Sequence, residues 1–165
     1  MARINVVTPE AASAEQKALF AAIQSQLGVV PNFLKVFANS PEALKAFLGL
    51  HGIASAGSLD MRTRERIALA LAQQNGCQYC LSAHTAIGRK AGLDGAEIEA
   101  NRAGTSHDAK AAAAVRFARA LVEHAGDAEI VEIITHVGMN ILTNILGRAS
   151  RVDIDFPKVE LKLAA

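Results

Sequence analysis

Two cysteines and a histidine stand close together in the stretch GCQYCLSAHTA at residues 76–86. Cys77 and Cys80 are the only cysteines of the sequence, and His84 follows the second by four residues. Residues three or four apart share one face of a helix, so a helix here would bring His84 beside Cys80. The residue types and their spacing are typical of a dithiol redox centre or of part of a metal site.

The place of this stretch in its helix bears on the reactivity of the thiols. Asn75-Gly76 is a helix-ending pair, so Cys77 is expected at about the first turn of the next helix. Unpaired N–H groups and the positive end of the helix dipole stabilise a thiolate there. The backbone of a first turn can also adjust enough for a Cys-x-x-Cys pair to close a disulfide.

Helix arithmetic adds a carboxylate to this group. Glu65 lies ten residues before Asn75, about 15 Å of helix, and His84 lies eight residues after Gly76, about 12 Å. If the two helices form an antiparallel hairpin, Glu65 and His84 come level. The spacing then suggests a proton relay from Glu65 through His84 to Cys80, with the other cysteine within disulfide reach.

Glu65 also lies on the apolar stripe of its helix, with Ala68, Leu69 and Ala72. A carboxylate that faces the interior needs a partner, which the relay would supply. The alternative is an ordinary ion pair with Arg62 or Arg66.

The histidines leave a metal site as a further alternative. Zinc would take Cys77, Cys80 and His84 plus a fourth ligand from His51, His107, His124 or His136. None of these is paired with the motif in zinc-site spacing, so we expect no metal. His51 is the best candidate for a supporting site residue because LGLHGI is otherwise apolar, although a core or surface histidine fits as well. We expect His107 and His124 at the surface.

Turn and cap residues predict helices along almost the whole chain. No segment alternates long enough to predict a strand, and Pro157 disfavours a helix in the C-terminal tail. The expected helix starts are Thr8-Pro9 or Ser13, Pro31, Ser40-Pro41, Asp60, Cys77, Asp94, Ser106 or Asp108, and Asp127.

The composition fits a single all-α domain over residues 1–165, rich in small aliphatic residues, with 51% hydrophobic and only 4% aromatic residues. The net charge of +1, without a basic stripe, makes nucleic acid an unexpected partner. Apolar runs such as IALALA are too short to span a membrane, and MARINVVTPE lacks the apolar core of a signal peptide. These features predict a cytoplasmic protein, in which two cysteines favour redox or metal chemistry over a structural disulfide.

The last predicted helix is apolar around most of its circumference, through Ile130, Val131, Ile133, Ile134, Val137, Met139, Ile141, Leu142, Ile145 and Leu146. Such a helix is either central in the domain or covered by another subunit. One polar stripe, His136, Asn140 and Asn144, interrupts it. This stripe is interpreted as a buried hydrogen-bonded row or subunit contact, or alternatively as the wall of a pocket.

Taken together, Glu65, CQYC at residues 77–80 and His84 resemble the alkylhydroperoxidase D-like branch of the carboxymuconolactone decarboxylase superfamily. RERIALALAQQNGCQYCLSAHTAIGRKAGL looks like the core of that family, and GVVPNFLKVFANSP and IDFPKV look like its peroxidase-related members. The resemblance covers most of the chain. It implies an all-α bundle of about seven or eight helices that assembles as a homotrimer or homohexamer, with the site near a subunit interface.

The resemblance also implies roles for the residues. Cys80 would be the peroxidatic cysteine, Cys77 would resolve its sulfenic acid to a disulfide, and Glu65 and His84 would relay protons. Tyr79 stands where the better-known peroxidases have a histidine, and a phenol cannot act as a base at neutral pH. The substrate would be H₂O₂ or an organic hydroperoxide, with no bound cofactor and an external dithiol reductant, a lipoyl-bearing or thioredoxin-type protein.

Three other functions remain open from the sequence: a general disulfide reductase or redox partner, a non-enzymatic redox sensor, and a lyase like the decarboxylases that give the family its name. Those decarboxylases generally lack the cysteine pair. Cys77 and Cys80 therefore weigh against the lyase.

Overall fold

The computed structural model describes residues 2–115 and 127–161. These residues form eight α-helices and no strand, which confirms the predicted all-α fold. The helices are α1 Ala14–Leu27, α2 Asn32–Phe37, α3 Pro41–Ser55, α4 Met61–Gln74, α5 Gln78–Lys90, α6 Gly95–Arg102, α7 Ala109–Val115 and α8 Asp127–Ser150. His124 and the predicted continuation of α7 lie outside the described residues.

Local capping explains where the helices begin. The Ser13 hydroxyl accepts from the Gln16 N–H and the Gln16 side chain accepts from the Ser13 N–H, so a complete capping box opens α1. Ser40 caps α3 ahead of Pro41, and Asp60 caps α4. Of the two starts considered for α1, the structure has Ser13.

The α4–α5 hairpin forms as the sequence predicts. Gly76 has φ +63°, a left-handed conformation that lets the chain reverse between the two helices. Gly88 of α5 allows close approach to α4, because a Cβ there would lie 3.7 Å from Leu69 and 3.9 Å from Glu65. The hairpin therefore holds the middle of α5 against the face of α4 that carries Glu65.

Two apolar clusters enclose this hairpin. One packs Leu69, Leu81 and both cysteines against residues of the C-terminal tail. The other joins α1, α2 and α3 and includes Met139 of α8. Because α8 contributes to the packing of α3, α4 and α5, it forms one wall of the space between the two clusters.

The C-terminal tail runs over α5 without helix or strand through residue 161. The Val159 N–H donates to Ser82 Oγ at 3.0 Å, and the Leu161 N–H donates to Gln78 Oε1 at 3.1 Å. These contacts fasten the tail to the helix that carries the cysteines.

α8 is buried on its polar stripe and exposed on part of its apolar surface. His136, Asn140 and Asn144 are all buried, whereas Val131, Ile134, Ile141, Leu142 and Ile145 are exposed. Among the described residues, no helix is long and apolar enough to cross a membrane.

Candidate active site

Cys77 and Cys80 are joined by a disulfide at the start of α5, with their Cα atoms 5.3 Å apart. Cys77 is the N-cap of the helix, and its Sγ accepts a hydrogen bond from the Cys80 N–H at 3.2 Å. The free N–H groups of the first turn therefore act on the sulfur of Cys77, as they do on the oxygen of an ordinary cap.

The two sulfurs differ in their access to solvent. Both residues are almost fully buried, but Cys80 lines a cavity of about 250 Å³ that opens to the surface, and Cys77 does not. A small molecule entering this cavity can therefore contact Cys80 but not Cys77.

Glu65 and His84 lie level across the hairpin, as helix arithmetic predicts. Glu65 Oε2 lies 2.9 Å from His84 Nδ1, and both side chains line the cavity while remaining mostly buried. The alternative ion pair is not formed: Arg62 donates to the Ala91 carbonyl, and Arg66 pairs with Glu97. The carboxylate fixes the ring of His84, one helical turn from Cys80.

Aromatic and aliphatic side chains make up most of the cavity wall. Phe33 packs edge-on against Phe37 and Phe47, and it stacks on Tyr79. The apolar wall comprises Leu34, Phe33, Phe47, Ile87, Met139 and Phe156, among others. Phe47 is buried, Phe33 and Phe37 are partly buried against the same cluster, and Phe33 and Phe47 also line the cavity.

Tyr79 lines the cavity with its ring but commits its hydroxyl elsewhere. Tyr79 Oη accepts from the Phe33 N–H at 3.3 Å and donates to the Asp155 carboxylate, which also accepts from the Asn32 N–H. Burial and the bond to Asp155 raise the pKa of Tyr79 far above its usual range. The phenol is thus a neutral structural group that links α2, α5 and the tail.

Two further histidines line the cavity from other helices. His136 of α8 is buried, and its Nε2 lies 3.2 Å from the Ala54 carbonyl, to which it donates. His51 of α3 also lines the cavity, although its side chain is exposed to solvent. Desolvation in the cavity wall lowers the pKa of both imidazoles, which favours their neutral forms.

The polar stripe of α8 fulfils both interpretations made from the sequence. Asn140 donates to the His136 carbonyl and lines the cavity. Asn144 is buried and accepts at 2.7 Å from Asn75 in the hairpin turn. The row is hydrogen-bonded, and its N-terminal part is a cavity wall.

His107 lies away from the cavity, with its side chain largely exposed and its Nδ1 3.2 Å from Glu97 Oε2. Within the described ranges, no three His, Cys, Asp or Glu side chains converge as they would around a metal ion.

Sequence reasoning missed two neighbours of the site. Arg64 lines the cavity beside Glu65. Gly147 of α8 faces the disulfide, since a Cβ there would lie 2.8 Å from Cys77 Sγ. A glycine within an apolar helix was the available signal for the second, whereas nothing in the sequence distinguishes Arg64 from its neighbouring arginines.

The fold and the sequence together identify the family. The sequence profile of the carboxymuconolactone decarboxylase family matches residues 41–124, and the chain belongs to this family. The match covers α3 to α7 and includes Glu65, both cysteines and His84.

Individual relatives agree with this assignment. The uncharacterized protein YdfG of Bacillus subtilis (strain 168) is 34% identical over 53 residues, which are 32% of this chain and 36% of that protein. The aligned part thus spans about a third of that relative. The crystal structure of an uncharacterized peroxidase-related protein from Silicibacter sp. TM1040 matches with a TM-score of 0.75 at 27% identity, covering 92% of this chain and 89% of that chain.

Two more distant structures share the fold. The alkylhydroperoxidase AhpD core of a peroxidase-related protein from Ralstonia eutropha JMP134 matches with a TM-score of 0.79 at 21% identity, covering 93% of this chain and 92% of that chain. A cysteine-to-alanine variant of the debrominase Bmp8, in complex with 2,3,4-tribromopyrrole, matches with a TM-score of 0.77 at 20% identity, covering 94% of both chains.

Proposed function

We propose that this protein is a thiol peroxidase that reduces organic hydroperoxides or H₂O₂ through Cys77 and Cys80. The observation that carries the proposal is that Cys80 and the hydrogen-bonded pair Glu65–His84 line the same cavity. A reactive thiol beside a positioned base is the arrangement that nucleophilic thiol chemistry requires.

The proposed reaction starts from the reduced dithiol. The Cys80 thiolate attacks one peroxide oxygen, an S–O bond forms as the O–O bond breaks, and the departing alkoxide takes a proton delivered through His84. Cys77 then attacks the sulfenic acid, so that the disulfide forms and water leaves. Each peroxide consumes two thiols, and an external dithiol restores both.

His84 suits the proton transfers because the carboxylate of Glu65 holds its Nδ1 at 2.9 Å, which leaves Nε2 for exchange with substrate or water. Tyr79 would hold the cavity wall and take no part in proton transfer. We further propose a cytoplasmic homotrimer or homohexamer in which the exposed apolar surface of α8 contacts another subunit.

The reductant in this proposal is a protein with a dithiol, of lipoyl-bearing or thioredoxin type. A disulfide is reduced by attack of a thiolate on one of its sulfurs, and Cys80 is the sulfur that the cavity leaves accessible.

The decisive experiment counts free thiols before and after one equivalent of peroxide is added to the reduced protein. We expect both thiols to disappear and the intact mass to fall by about 2 Da, as a new internal disulfide requires. Cys80→Ser should consume peroxide no faster than a protein without cysteines. Consumption by Cys80→Ser at the wild-type rate would refute the proposal.

A second candidate is a general disulfide reductase, favoured by the engagement of the Tyr79 hydroxyl with Asp155, which leaves no base at that position. Parallel assays with a peroxide, a protein disulfide and a brominated pyrrole, all with the same dithiol reductant, identify the preferred electrophile. Faster turnover of the protein disulfide would favour the reductase. Faster release of bromide would favour a debrominase.

A further inference from the structure

The cavity has a second polar end, which adjoins the Glu65–His84 pair and lies beyond it from the cysteine. Arg64 of α4, His51 of α3 and His136 of α8 all line it. Arg64 lies close enough to lower the pKa of both imidazoles. Three helices thus bring one guanidinium and two imidazoles to the same part of the cavity.

This end lies well away from the sulfurs. His136 precedes Gly147, which packs on the disulfide, by eleven residues of α8, or about 16 Å of helix. Along α4 and α5, Arg64 adjoins Glu65, which contacts His84, and His84 is itself one turn beyond Cys80. A molecule that reaches from Cys80 to Arg64 must therefore be elongated.

Arg64 is held in place but keeps donors to spare. Its Nη1 donates to the carbonyl of Leu59, a buried residue at the start of α4, and a guanidinium has five N–H donors in all. Among the side chains that the structure describes, no carboxylate forms an ion pair with Arg64.

Two acidic side chains near this end have other partners. Glu65 is bound by His84, and Glu132 accepts from the Ser58 N–H and hydroxyl and from the Leu59 N–H. The guanidinium therefore brings a positive charge to the cavity that neither carboxylate neutralises.

Opposite the Glu65–His84 pair, much of the cavity wall is apolar. Phe33 and Phe47 form an aromatic surface, and Leu34, Ile87 and Met139 extend it. Such a wall favours a hydrocarbon body by removing its surface from water.

We propose that the cavity binds an organic hydroperoxide whose apolar body ends in a carboxylate, with Arg64 as the residue that binds the carboxylate. Arg64 recognises the planar carboxylate through charge-assisted hydrogen bonds, and the chain of the substrate carries the peroxide to Cys80. The peroxide part of this substrate class rests on the proposed function; the binding of an acidic amphiphile does not.

A binding experiment tests the acid site without any catalysis. Decanoate and decanol are titrated into the oxidised protein by calorimetry. We expect decanoate to bind at least about tenfold more tightly, because a hydrogen-bonded charge contributes on the order of 1.5–3 kcal/mol. An apolar pocket without a charge would favour the alcohol, because binding decanoate there would remove its carboxylate from water without giving it a hydrogen-bonded partner.

Arg64→Met should abolish the preference for decanoate, and Arg64→Lys should restore part of it. Arg62→Met is the matched control. Arg62 lies two residues before Arg64 on α4, donates to the Ala91 carbonyl and does not line the cavity. Equal affinities of the wild type for acid and alcohol, or equal effects of the Arg62 and Arg64 variants, would overturn the inference. The wild-type comparison stands even if a variant fails to fold.

Kinetics then connect the site to the reaction. The substrates are decanoic acid with a hydroperoxide at the opposite end of the chain, and its methyl ester. We expect the wild type to have a higher kcat/KM for the acid than for the ester. In Arg64→Met, the acid-to-ester ratio of kcat/KM should fall at least about tenfold, because a charge-assisted contact is lost. Equal kcat/KM for acid and ester would refute the inference, whereas decanoate binding without consumption of any peroxide would refute only the proposed peroxidase.

Discussion

Gly147 of α8 packs directly against the sulfur of Cys77, leaving no room for a side chain. A Cβ at position 147 would lie 2.8 Å from Cys77 Sγ, which is too close for a real contact, and 3.4 Å from Cys80 Sγ, at the inner limit of ordinary van der Waals contact. The same helix carries the stripe that walls the cavity. The Cys77–Cys80 disulfide therefore lies between α5 and α8, and a side chain at position 147 would disturb this packing.

Gly147→Ala should lower the free energy of unfolding of the oxidised protein by about 1–3 kcal/mol, the usual cost of overpacking. Urea unfolding measures this. Gly138→Ala is the control on the same helix, because a Cβ there has no neighbour within 4 Å. That variant should be neutral or stabilised by up to about 1 kcal/mol, since alanine is the better helix former. Equal effects at both positions would contradict the packing of α8 on the disulfide.

Glu65→Gln should slow the peroxide-driven loss of thiols by roughly a hundredfold, the scale of positioned acid–base catalysis. A glutamine side chain can still contact His84 but does not stabilise a positive charge on its ring. Stopped-flow measurement of thiol loss gives the rate. Glu42→Gln, an exposed glutamate in the first turn of α3, should keep the wild-type rate.

A double variant tests whether Glu65 and His84 act together. If the two residues act as one unit, the double variant Glu65→Gln/His84→Asn should be little slower than the worse of the two single variants. If the double variant is slowed by the product of the two single effects, the residues act independently.

The hairpin that holds Glu65 level with His84 could be predicted from the sequence, because its signals are local. Asp60 caps α4, Gly76 adopts a positive φ between the helices, and Cys77 caps α5. Given two straight helices and a tight turn, the rise per residue determines which side chains meet.

The opposite wall of the cavity could not be predicted, because it depends on contacts between distant segments. The stretch RTRERI contains three arginines with almost identical local surroundings. Arg62 reaches the Ala91 carbonyl, Arg66 pairs with Glu97, and Arg64 lines the cavity. Tertiary packing alone separates these roles.

Tyr79→Phe should lower the free energy of unfolding by about 1 kcal/mol, because the Phe33 N–H and Asp155 lose their common partner. Peroxide consumption should stay within severalfold of wild type, since the raised pKa of Tyr79 keeps its hydroxyl protonated at neutral pH. Parallel unfolding and peroxide assays check both expectations. A Phe variant of normal stability that has lost most activity would give the phenol a chemical role.

Glu97→Gln should change the dependence of stability on pH. Burial disfavours the Glu97 carboxylate, but hydrogen bonds from Ser106, the His107 backbone, Asn101 and Arg66 outweigh it and lower its pKa from 4.5 to about 2. A depressed pKa in the folded state contributes stability that is complete above pH 4.5 and is lost as the pH falls toward 2.

Unfolding in urea at a series of pH values between 2 and 7 tests this. The wild type should lose stability steeply across the lower part of that range, whereas Glu97→Gln should start less stable at pH 7 and show a shallower slope. Parallel slopes for the two proteins would mean that other carboxylates dominate the acid response.

The unequal surroundings of the two sulfurs give the last prediction. The cavity leads to Cys80, while Cys77 caps α5 and accepts the Cys80 N–H at 3.2 Å. In thiol–disulfide exchange, the accessible sulfur is attacked and the better-stabilised thiolate departs.

The reduced variants Cys77→Ser and Cys80→Ser, each with one cysteine, are therefore reacted with a small aromatic disulfide. Cys80 in the first should react at least about tenfold faster than Cys77 in the second, because access limits the reaction of a buried thiolate. Both should react alike after unfolding, and faster reaction of Cys77 in the folded protein would reverse the roles of the two sulfurs.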